Sequence, residues 1–227
     1  MNYNYGNWAS VRYRIEGKQN DLQEIYDQYQ TLLSKKQYEN GDDKLIWESE
    51  FTDGLGIDSK DSSLRGYMLK CELTDESLSV EAEEAWVLTD FRHLLESHYE
   101  DMNIYYMLEE PCCDVYVTND AEGKYFPTRI VVDIRIEEVE EHKEFMTKKE
   151  ALDYVARTLK HDALTVEDID KWNEEHEDAY IGFHEYEVMP HISKQEDSDE
   201  LMAAYMKAVE TGDNIAQIIY GRLIAMT

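Results

Sequence analysis

The sequence lacks the features that would assign it to an export route or a membrane. Its three cysteines are too few, and odd in number, for a disulfide framework. No apolar run is long enough to span a bilayer. The first residues, MNYNYGNWAS, contain neither the basic segment nor the apolar core of a signal peptide. Together these absences predict a cytoplasmic protein with reduced thiols and no membrane partner.

Basic residues are scarce. The chain has 22 Lys and Arg against 51 Asp and Glu, which gives a formal net charge of −29. Because binding to phosphates needs clustered Lys and Arg, this excess of acid argues against direct binding to nucleic acids or anionic membranes. It favours cations, basic proteins or DNA-binding proteins as partners. An acidic surface that keeps the protein soluble, without a specific partner, is the alternative.

Sequence motifs for catalysis and cofactor binding are also missing. The chain has no glycine-rich phosphate loop, no G-x-S-x-G sequence and no basic segment interleaved with aromatic residues. The predicted exposed faces of the strands carry Glu, Asp and Ser, whereas an RNA-recognition sheet needs Lys, Arg and stacking aromatics. We therefore predict a protein that is not an enzyme and that binds no cofactor, metal or nucleic acid directly.

What the sequence does contain predicts an α+β fold. With 42% hydrophobic residues, the 227-residue chain can bury a core. The segment SVRYRIEG alternates apolar and polar residues, as a half-buried strand does, and ends at Gly17. A helix capped by Asn20 or Asp21 follows. Its apolar residues recur at helical spacing: Leu22, Ile25, Tyr26, Tyr29, Leu32 and Leu33.

The rest of the first half continues this alternation of strands and helices. Residues 37–63 are polar and predict a long loop, with LIWESEF as a short edge piece. RGYMLKCELTDESLSVEAEEAW predicts a hairpin that turns at TDES. A helix capped by Thr89 or Asp90 and the strand NIYYMLEE follow. We expect two apolar faces: Tyr67, Leu69, Cys71 and Leu73 on the first hairpin strand, and Phe91, Leu94, Leu95 and His98 on the helix. The order β-α-β-β-α-β is that of a ferredoxin-like domain.

The second half predicts one more hairpin and then mostly helices. DVYVT and RIVVDIRIEEVE flank the turn-rich loop NDAEGKYFP, so we expect them to pair and extend the sheet. Two helices, a strand at YIGFHEYEVM and a final helical region ending near Gly212 follow. In the first of these helices, Thr147 and Glu150 have the spacing of a capping box. The final helix carries the apolar residues Leu201, Met202, Tyr205, Met206 and Val209, and the stripe resumes from Ile215 to Leu223. We predict two domains, residues 1–140 and 141–227.

Three segments carry a family resemblance. VRYRIEGKQNDLQEIY, WVLTDFRHLLESHY and IYYMLEEPCCDVYVTNDAEGKYFPTRIVVD resemble a family of phage- and plasmid-borne proteins and their Bacteroides relatives. That family has a ferredoxin-like domain of the type found in the plasmid protein YubB. Its pattern includes a Trp that ends the third strand and an EEPG-like turn, matched by Glu109, Glu110 and Pro111, with Cys112 in place of the glycine. The resemblance covers roughly residues 8–135 and implies a fold and a link to mobile elements, without an activity.

The strand ends carry the candidate acidic residues. Glu84 interrupts the apolar strand face that it shares with Leu78, Val80, Ala82 and Trp86. We expect Glu84 and Glu109 about two strand spacings apart, roughly 10 Å, with the first strand between them. A buried carboxylate must be paired, metal-bound or protonated, so Glu84 is a candidate for a cation site or a general acid. It can equally lie in water or pair with Arg12 or Arg14.

Cysteines and histidines are weaker candidates for a reactive or metal-binding site. Cys112 and Cys113 are adjacent, but the acidic neighbours Glu109, Glu110 and Asp114 oppose thiolate formation. We expect reduced loop cysteines, one of them turned inward, and we expect Cys71 in the core. His176 and His184 fall on different elements, and His93 and His98 are five residues apart on one helix. Neither pair has the spacing of a metal site.

The candidate functional surface therefore comprises Glu84, Trp86, Glu109, Glu110, Cys112 and Cys113. The favoured hypothesis is an acidic protein-interaction module linked to mobile elements, with a basic or DNA-binding partner. One alternative is a DNA mimic that inhibits a DNA-binding protein. The other is a cation-dependent hydrolase that uses Glu84, Glu109 and Glu110, which requires these side chains to converge in a pocket. The sequence leaves the oligomeric state open.

Overall fold

The computed structural model describes residues 8–36, 45–60, 62–85, 90–189, 198–212 and 217. The chain divides into two compact units. The first unit comprises Met1–Val115 and Pro190–Thr227, and the second comprises Tyr116–Met189. Both contain helices and strands, so the protein is a mixed α+β protein. In the described ranges, no helix is long and apolar enough to cross a membrane.

Five antiparallel strands of one sheet form the centre of the first unit. These strands are β1 (Trp8–Glu16), β2 (Ile46–Trp47), β3 (Gly66–Leu73), β4 (Leu78–Ala85) and β5 (Asn103–Glu110). They lie in the order β5-β1-β4-β3-β2. Strand β1 alternates as predicted, with Val11 and Tyr13 buried on what we call the inner face and Ser10 and Arg12 on the outer face.

Three helices of the first unit pack on the inner face: α1 (Gln19–Lys36), α2 (Glu48–Gly54) and α3 (Phe91–His98). Phe91 of α3 contacts both Tyr13 of β1 and Phe51 of α2, each with ring centroids 5.9 Å apart. The predicted apolar stripe of α1 is confirmed at Leu22, Ile25, Tyr29 and Leu32. The inner face is therefore the core face of the unit.

The second unit contains a three-stranded antiparallel sheet, two helices and a short parallel pair. The sheet has the order β8-β7-β9, and the pair joins β6 to β10. The elements are β6 (Val115–Thr118), β7 (Ile130–Ile136), β8 (Val139–Phe145), α4 (Lys148–Leu159), α5 (Val166–Glu175), β9 (Tyr180–Glu185) and β10 (Glu187–Val188). Ile134 of β7 packs with Val155 of α4 and Ile169 of α5 in one apolar core.

Caps set the starts of both helices in this unit. The side chain of Thr147 accepts a hydrogen bond from the backbone N–H of Glu150 at 3.2 Å, so the predicted cap of α4 is confirmed. Thr165 and Asp168 form a reciprocal capping box at the start of α5.

The loop between β6 and β7 is organised around Asp120, which is 1% exposed. Its carboxylate accepts hydrogen bonds from the backbone N–H groups of Lys124, Tyr125 and Phe126, at 2.9, 2.7 and 2.8 Å. The guanidinium of Arg129 donates to the carbonyls of Asp120 and Phe126, among others, at 2.9 and 2.8 Å. These bonds satisfy the polar groups of a segment that has no regular secondary structure.

The predicted hairpin of DVYVT with RIVVDIRIEEVE is wrong. Strand β6 pairs with β10, whereas β7 pairs with β8 and β9. The physical reason is a turn inside the acidic run: Ile136 pairs with Val139, and Glu137 between them has φ 54°. This left-handed residue closes a two-residue hairpin loop, so VEEHKEF becomes a strand. The predicted domain boundary at residue 140 falls within β8.

Residues 37–63 contain more structure than the predicted loop. The two-residue strand β2 corresponds to the expected edge piece, but ESEFTDG forms the helix α2, which the sequence did not predict. Residues 37–44 lie outside the described ranges. Similarly, the region 141–227 contains most of β8 and all of β9 and β10 besides its helices, so it is less helical than predicted.

Several side-chain predictions are also wrong. A register shift between Met68 and Lys70 places Tyr67 and Cys71 on opposite faces of β3, because a β-bulge inserts one residue into the alternation. His98 is exposed at the end of α3. The last described helix, α6 (Ser198–Thr211), ends at Gly212 as predicted, but part of its expected apolar stripe is exposed: Met202, Met206 and Val209. The continuation from Ile215 to Leu223 falls outside the described residues.

Candidate functional site

Glu84 lies on the inner face of the first unit. Its Cα pairs with that of Ala9 in β1, and the residue is fully buried. The hydroxyl of Tyr13 donates a hydrogen bond to its carboxylate. Burial, and then the negative charges of Glu84 and Glu48, raise the pKa of Tyr13 well above its ordinary value. Glu84 therefore neither reaches water nor pairs with Arg12 or Arg14, which lie on the outer face.

A second buried carboxylate, Glu48, is the first residue of α2. Its carboxyl group lies against the backbone of Gly66, so that a Cβ atom built on Gly66 would lie 2.5 Å from its Cδ. Gly66 in turn pairs with Glu84 across β3 and β4. The absence of a side chain at residue 66 thus makes the space in which the Glu48 carboxylate fits beside Glu84.

The charge of Arg92 acts in the opposite direction, since it lowers the pKa of Tyr13. Its guanidinium lies 5.2 Å from the centroid of the Tyr106 ring and 2.9 Å from Nε2 of His93. Burial, and then Arg92, lower the pKa of His93. The neutral imidazole that results can accept a hydrogen bond from Arg92. Arg92 therefore has polar and aromatic partners inside the core.

We call Tyr13, Glu48, Glu84 and Arg92 the buried polar cluster. None of these four residues is more than 4% exposed. A substrate cannot touch them unless the core opens. The cluster links β1, β4, α2 and α3, and we interpret it as a structural element of the core.

Glu109 and Glu110 point to opposite faces of β5. Glu109 pairs with Ser10 on the outer face, where Arg12 Nη2 lies 3.2 Å from its Oε1. Glu110, the next residue, is fully buried. The hydrolase hypothesis required Glu84, Glu109 and Glu110 to converge, but the sheet separates Glu109 from the buried face of Glu84. The strand-end spacing of Glu84 and Glu109 therefore does not make a shared site.

The adjacent cysteines lie in a single 3₁₀ turn, Pro111–Cys113, after β5. Both Cys112 and Cys113 are exposed, so the expectation that one turns inward is wrong. The positive φ angle of this turn, 55°, falls on Asp114 and not on Cys112, where the family pattern has glycine. Cys71 is buried as predicted. Trp86, the remaining member of the predicted surface, lies outside the described residues.

Within the described ranges, neither predicted histidine pair, His176 with His184 or His93 with His98, forms a common site. His176 stacks on Trp172 of its own helix, with ring centroids 4.1 Å apart. His184 Nε2 lies 3.6 Å from Asp133, whose other carboxylate oxygen lies 2.8 Å from His142 Nδ1. His93 is part-buried beside Arg92, whereas His98 is exposed.

The outer face of the first unit carries a cluster of side chains that was not predicted from the sequence. Tyr67 contacts Trp8 and Trp47, with ring centroids 5.3 and 5.5 Å apart. Glu83 lies directly opposite Tyr67 in the β3–β4 pair. All four side chains are partly exposed. We call Trp8, Trp47, Tyr67 and Glu83 the aromatic–acidic patch.

Glu83 differs from the other carboxylates of this face. Glu109 pairs with Arg12, while Lys70 lies 2.9 Å from Glu72 and 3.9 Å from Glu81. Among the described residues, no side chain forms a hydrogen bond or ion pair with Glu83. Burial alone accounts for the rise in its pKa. The patch therefore presents three aromatic rings and a desolvated carboxylate that no cation of the described ranges reaches.

Two signals in the sequence could have located the patch. Trp8, ahead of Val11 and Tyr13 in β1, has the parity of the exposed residues, and Glu83 lies between two inner-face residues of β4. The bulge in β3 hid the contribution of Tyr67, because strict alternation placed it with Cys71. Trp47 is brought to the patch by β2, which was predicted only as an edge piece.

Comparison with known proteins adds no relative: no family model, no curated protein and no solved structure matches this chain.

Proposed function

We propose that the chain is a protein-interaction module and that its first unit binds a basic segment of a partner protein at the aromatic–acidic patch. The observation that carries this proposal is Glu83, a half-buried carboxylate that pairs with no cation among the described residues and lies beside three aromatic rings, of which Tyr67 contacts the other two. A basic side chain gains from both components, through ring faces that attract cations and through a carboxylate that lacks a counter-ion.

The charge of the whole chain supports a basic partner. A net charge of −29 steers basic proteins towards the surface and repels nucleic acids. The basic side chains Arg12 and Lys70 on the same face already contact Glu109 and Glu72. Among the described residues, no basic side chain forms an ion pair with Glu83, so the patch can receive a cation from a partner.

We also infer that the β1-α1-β3-β4-α3-β5 core of the first unit is ferredoxin-like, with β2 and α2 inserted. The order β5-β1-β4-β3 and its antiparallel pairing support this topology. The link to mobile elements rests on the family resemblance and stays a prediction.

The test is the binding of a synthetic basic peptide to the full chain. A 15-residue peptide with five basic residues spaced by Gly and Ser carries the charge without a fold of its own. We expect Glu83→Gln to weaken binding at least about fivefold, because the uncompensated carboxylate is lost. Glu76→Gln is the matched control, since this exposed residue of the β3–β4 turn carries the same charge away from the patch.

Equal weakening by both substitutions would mean that the peptide responds to net charge alone and would refute a site at the patch. Measuring peptide binding at two salt concentrations further separates attraction to net charge from binding at the patch. Attraction to net charge is screened as salt rises, whereas contacts with the aromatic rings are retained.

A further inference from the structure

We propose that the aromatic–acidic patch selects arginine over lysine in the segment that it binds, an inference that rests on the proposed function. The selecting feature is the placement of a ring and a carboxylate side by side. Tyr67 and Glu83 are direct partners across the antiparallel β3–β4 pair. Such partners have Cα atoms about 4.5–5.5 Å apart, and their side chains stand on the same face.

A planar cation fits this placement. The guanidinium of arginine can lie flat on an aromatic ring while the N–H groups at its edge point sideways to a carboxylate. The ammonium of lysine has no planar face, so when one N–H reaches the carboxylate the group covers less of the ring than a guanidinium does. Arginine therefore makes both contacts at once.

The difference in hydration between the two cations also favours arginine over lysine. Glu83 is half-buried between Ser10 of β1 and Tyr67 of β3. A cation that joins it there must lose part of its water. The ammonium group is more strongly hydrated than the guanidinium, so its desolvation costs more.

The residues beside Glu83 are small on one side and aromatic on the other. On the β1 side, Glu83 is flanked by Ser10, which is small and exposed. On the β3 side, Tyr67 contacts the rings of Trp8 and Trp47, which extend the surface in both directions. We infer that the side chain enters over Ser10 and that its guanidinium lies on the Tyr67 ring.

The experiment compares two peptides that differ only in the basic residue, (Gly-Arg-Ser)5 and (Gly-Lys-Ser)5, by fluorescence anisotropy with the full chain. We expect the arginine peptide to bind at least about tenfold more tightly. In Glu83→Gln and in Tyr67→Leu this preference should fall to about twofold or less. Glu76→Gln should retain it. Because Tyr67→Leu removes ring contacts, its thermal unfolding is measured beside that of the wild type. Ser10→Leu, which obstructs the entry, is a second variant in which the preference for arginine should fall.

The outcomes separate the two proposals. Equal affinity for both peptides, abolished by Glu83→Gln but not by Glu76→Gln, overturns the arginine preference and leaves the proposed function standing. A failure of both peptides to bind overturns both. Tighter binding of a single-stranded decauridylate than of either peptide would assign the rings to base stacking and would also overturn both.

Discussion

The hydroxyl of Tyr13 on β1 donates a hydrogen bond to the carboxylate of Glu84 on β4, inside the first unit where both residues are at most 1% exposed. Ala9, the partner of Glu84, lies on the same strand as Tyr13, so the tyrosine side chain reaches along the inner face to the carboxylate. A polar bond thus joins two strands inside the core, within the buried polar cluster. Its loss leaves a buried carboxyl group with one donor fewer.

Tyr13→Phe tests the contribution of this bond. We expect it to lower the free energy of unfolding by about 1–3 kcal/mol, the usual effect of leaving a buried acceptor without its donor. Chemical denaturation at pH 7 measures the change. Tyr26→Phe is the matched control, because the Tyr26 hydroxyl forms no hydrogen bond with the described residues, and this variant should be nearly neutral.

The stability difference between wild type and Tyr13→Phe should depend on alkaline pH. The folded pKa of Tyr13 is raised above its unfolded value of about 10. Its stabilising contribution is therefore complete below about pH 10 and is lost as the pH rises through the folded pKa, by at most about 1.4 kcal/mol per pH unit. Unfolding at pH 8, 9, 10 and 11 should show the difference narrowing above pH 10. A constant difference up to pH 11 would contradict the raised pKa.

Gly66→Ala tests the close approach of Glu48. The new Cβ would lie 2.5 Å from Glu48 Cδ, so we expect a loss of about 1–3 kcal/mol from overpacking. Gly17→Ala is the control, since its Cβ would meet its nearest atom at an ordinary 3.5 Å.

The double variant Gly66→Ala/Glu48→Ala tests whether Glu48 causes the loss of stability in Gly66→Ala. If the clash is with this carboxylate, Gly66→Ala should be less destabilising in the Glu48→Ala background than in the wild type. Equal effects in both backgrounds would assign the loss to another contact.

Asp120→Ala tests the organisation of the loop in the second unit. The substitution leaves the N–H groups of Lys124, Tyr125 and Phe126 without their common acceptor. We expect a loss of about 3 kcal/mol, since several charge-assisted bonds at a buried position are removed together. Glu122→Ala, an exposed residue of the same loop, should change stability by less than about 0.5 kcal/mol. Hydrogen exchange at the three amides reports the loop directly, and unchanged protection in Asp120→Ala would refute the role of the carboxylate.

The three thiols should react in two classes. Cys112 and Cys113 are exposed, whereas burial, and to a smaller extent the charge of Glu72, raise the pKa of Cys71 to about 12. We expect a thiol reagent at pH 8 to label two cysteines in the folded protein and the third only after denaturant is added. Mass spectrometry of the labelled peptides identifies them. Rapid labelling of Cys71 under native conditions would show that β3 opens readily.

Local pattern predicted much of the first unit. Alternation in SVRYRIEG predicted β1, helical spacing predicted α1 and α3, and the TDES turn predicted the β3–β4 hairpin; NIYYMLEE was also predicted as a strand, and it forms β5. In these segments apolar residues recur with a regular period and point to the core, so the order of the residues is enough to predict the element. The buried state of Cys71 and the cap at Thr147 were predicted in the same way.

Only the tertiary structure decided where the polar groups meet. The bulge after Met68 moved Tyr67 to the outer face, a left-handed Glu137 turned an acidic run into a strand, and the unpredicted helix α2 brought Glu48 against Gly66. Each depends on a single backbone conformation or on a contact between residues distant in sequence, which no periodicity records. The sequence by itself determined the strands β1, β3, β4 and β5, the helices α1 and α3, and the net charge of the chain. The packing of those elements determined that Glu84 is enclosed with Tyr13 while Glu83, one residue earlier, faces outward beside aromatic rings, because successive strand residues point to opposite faces.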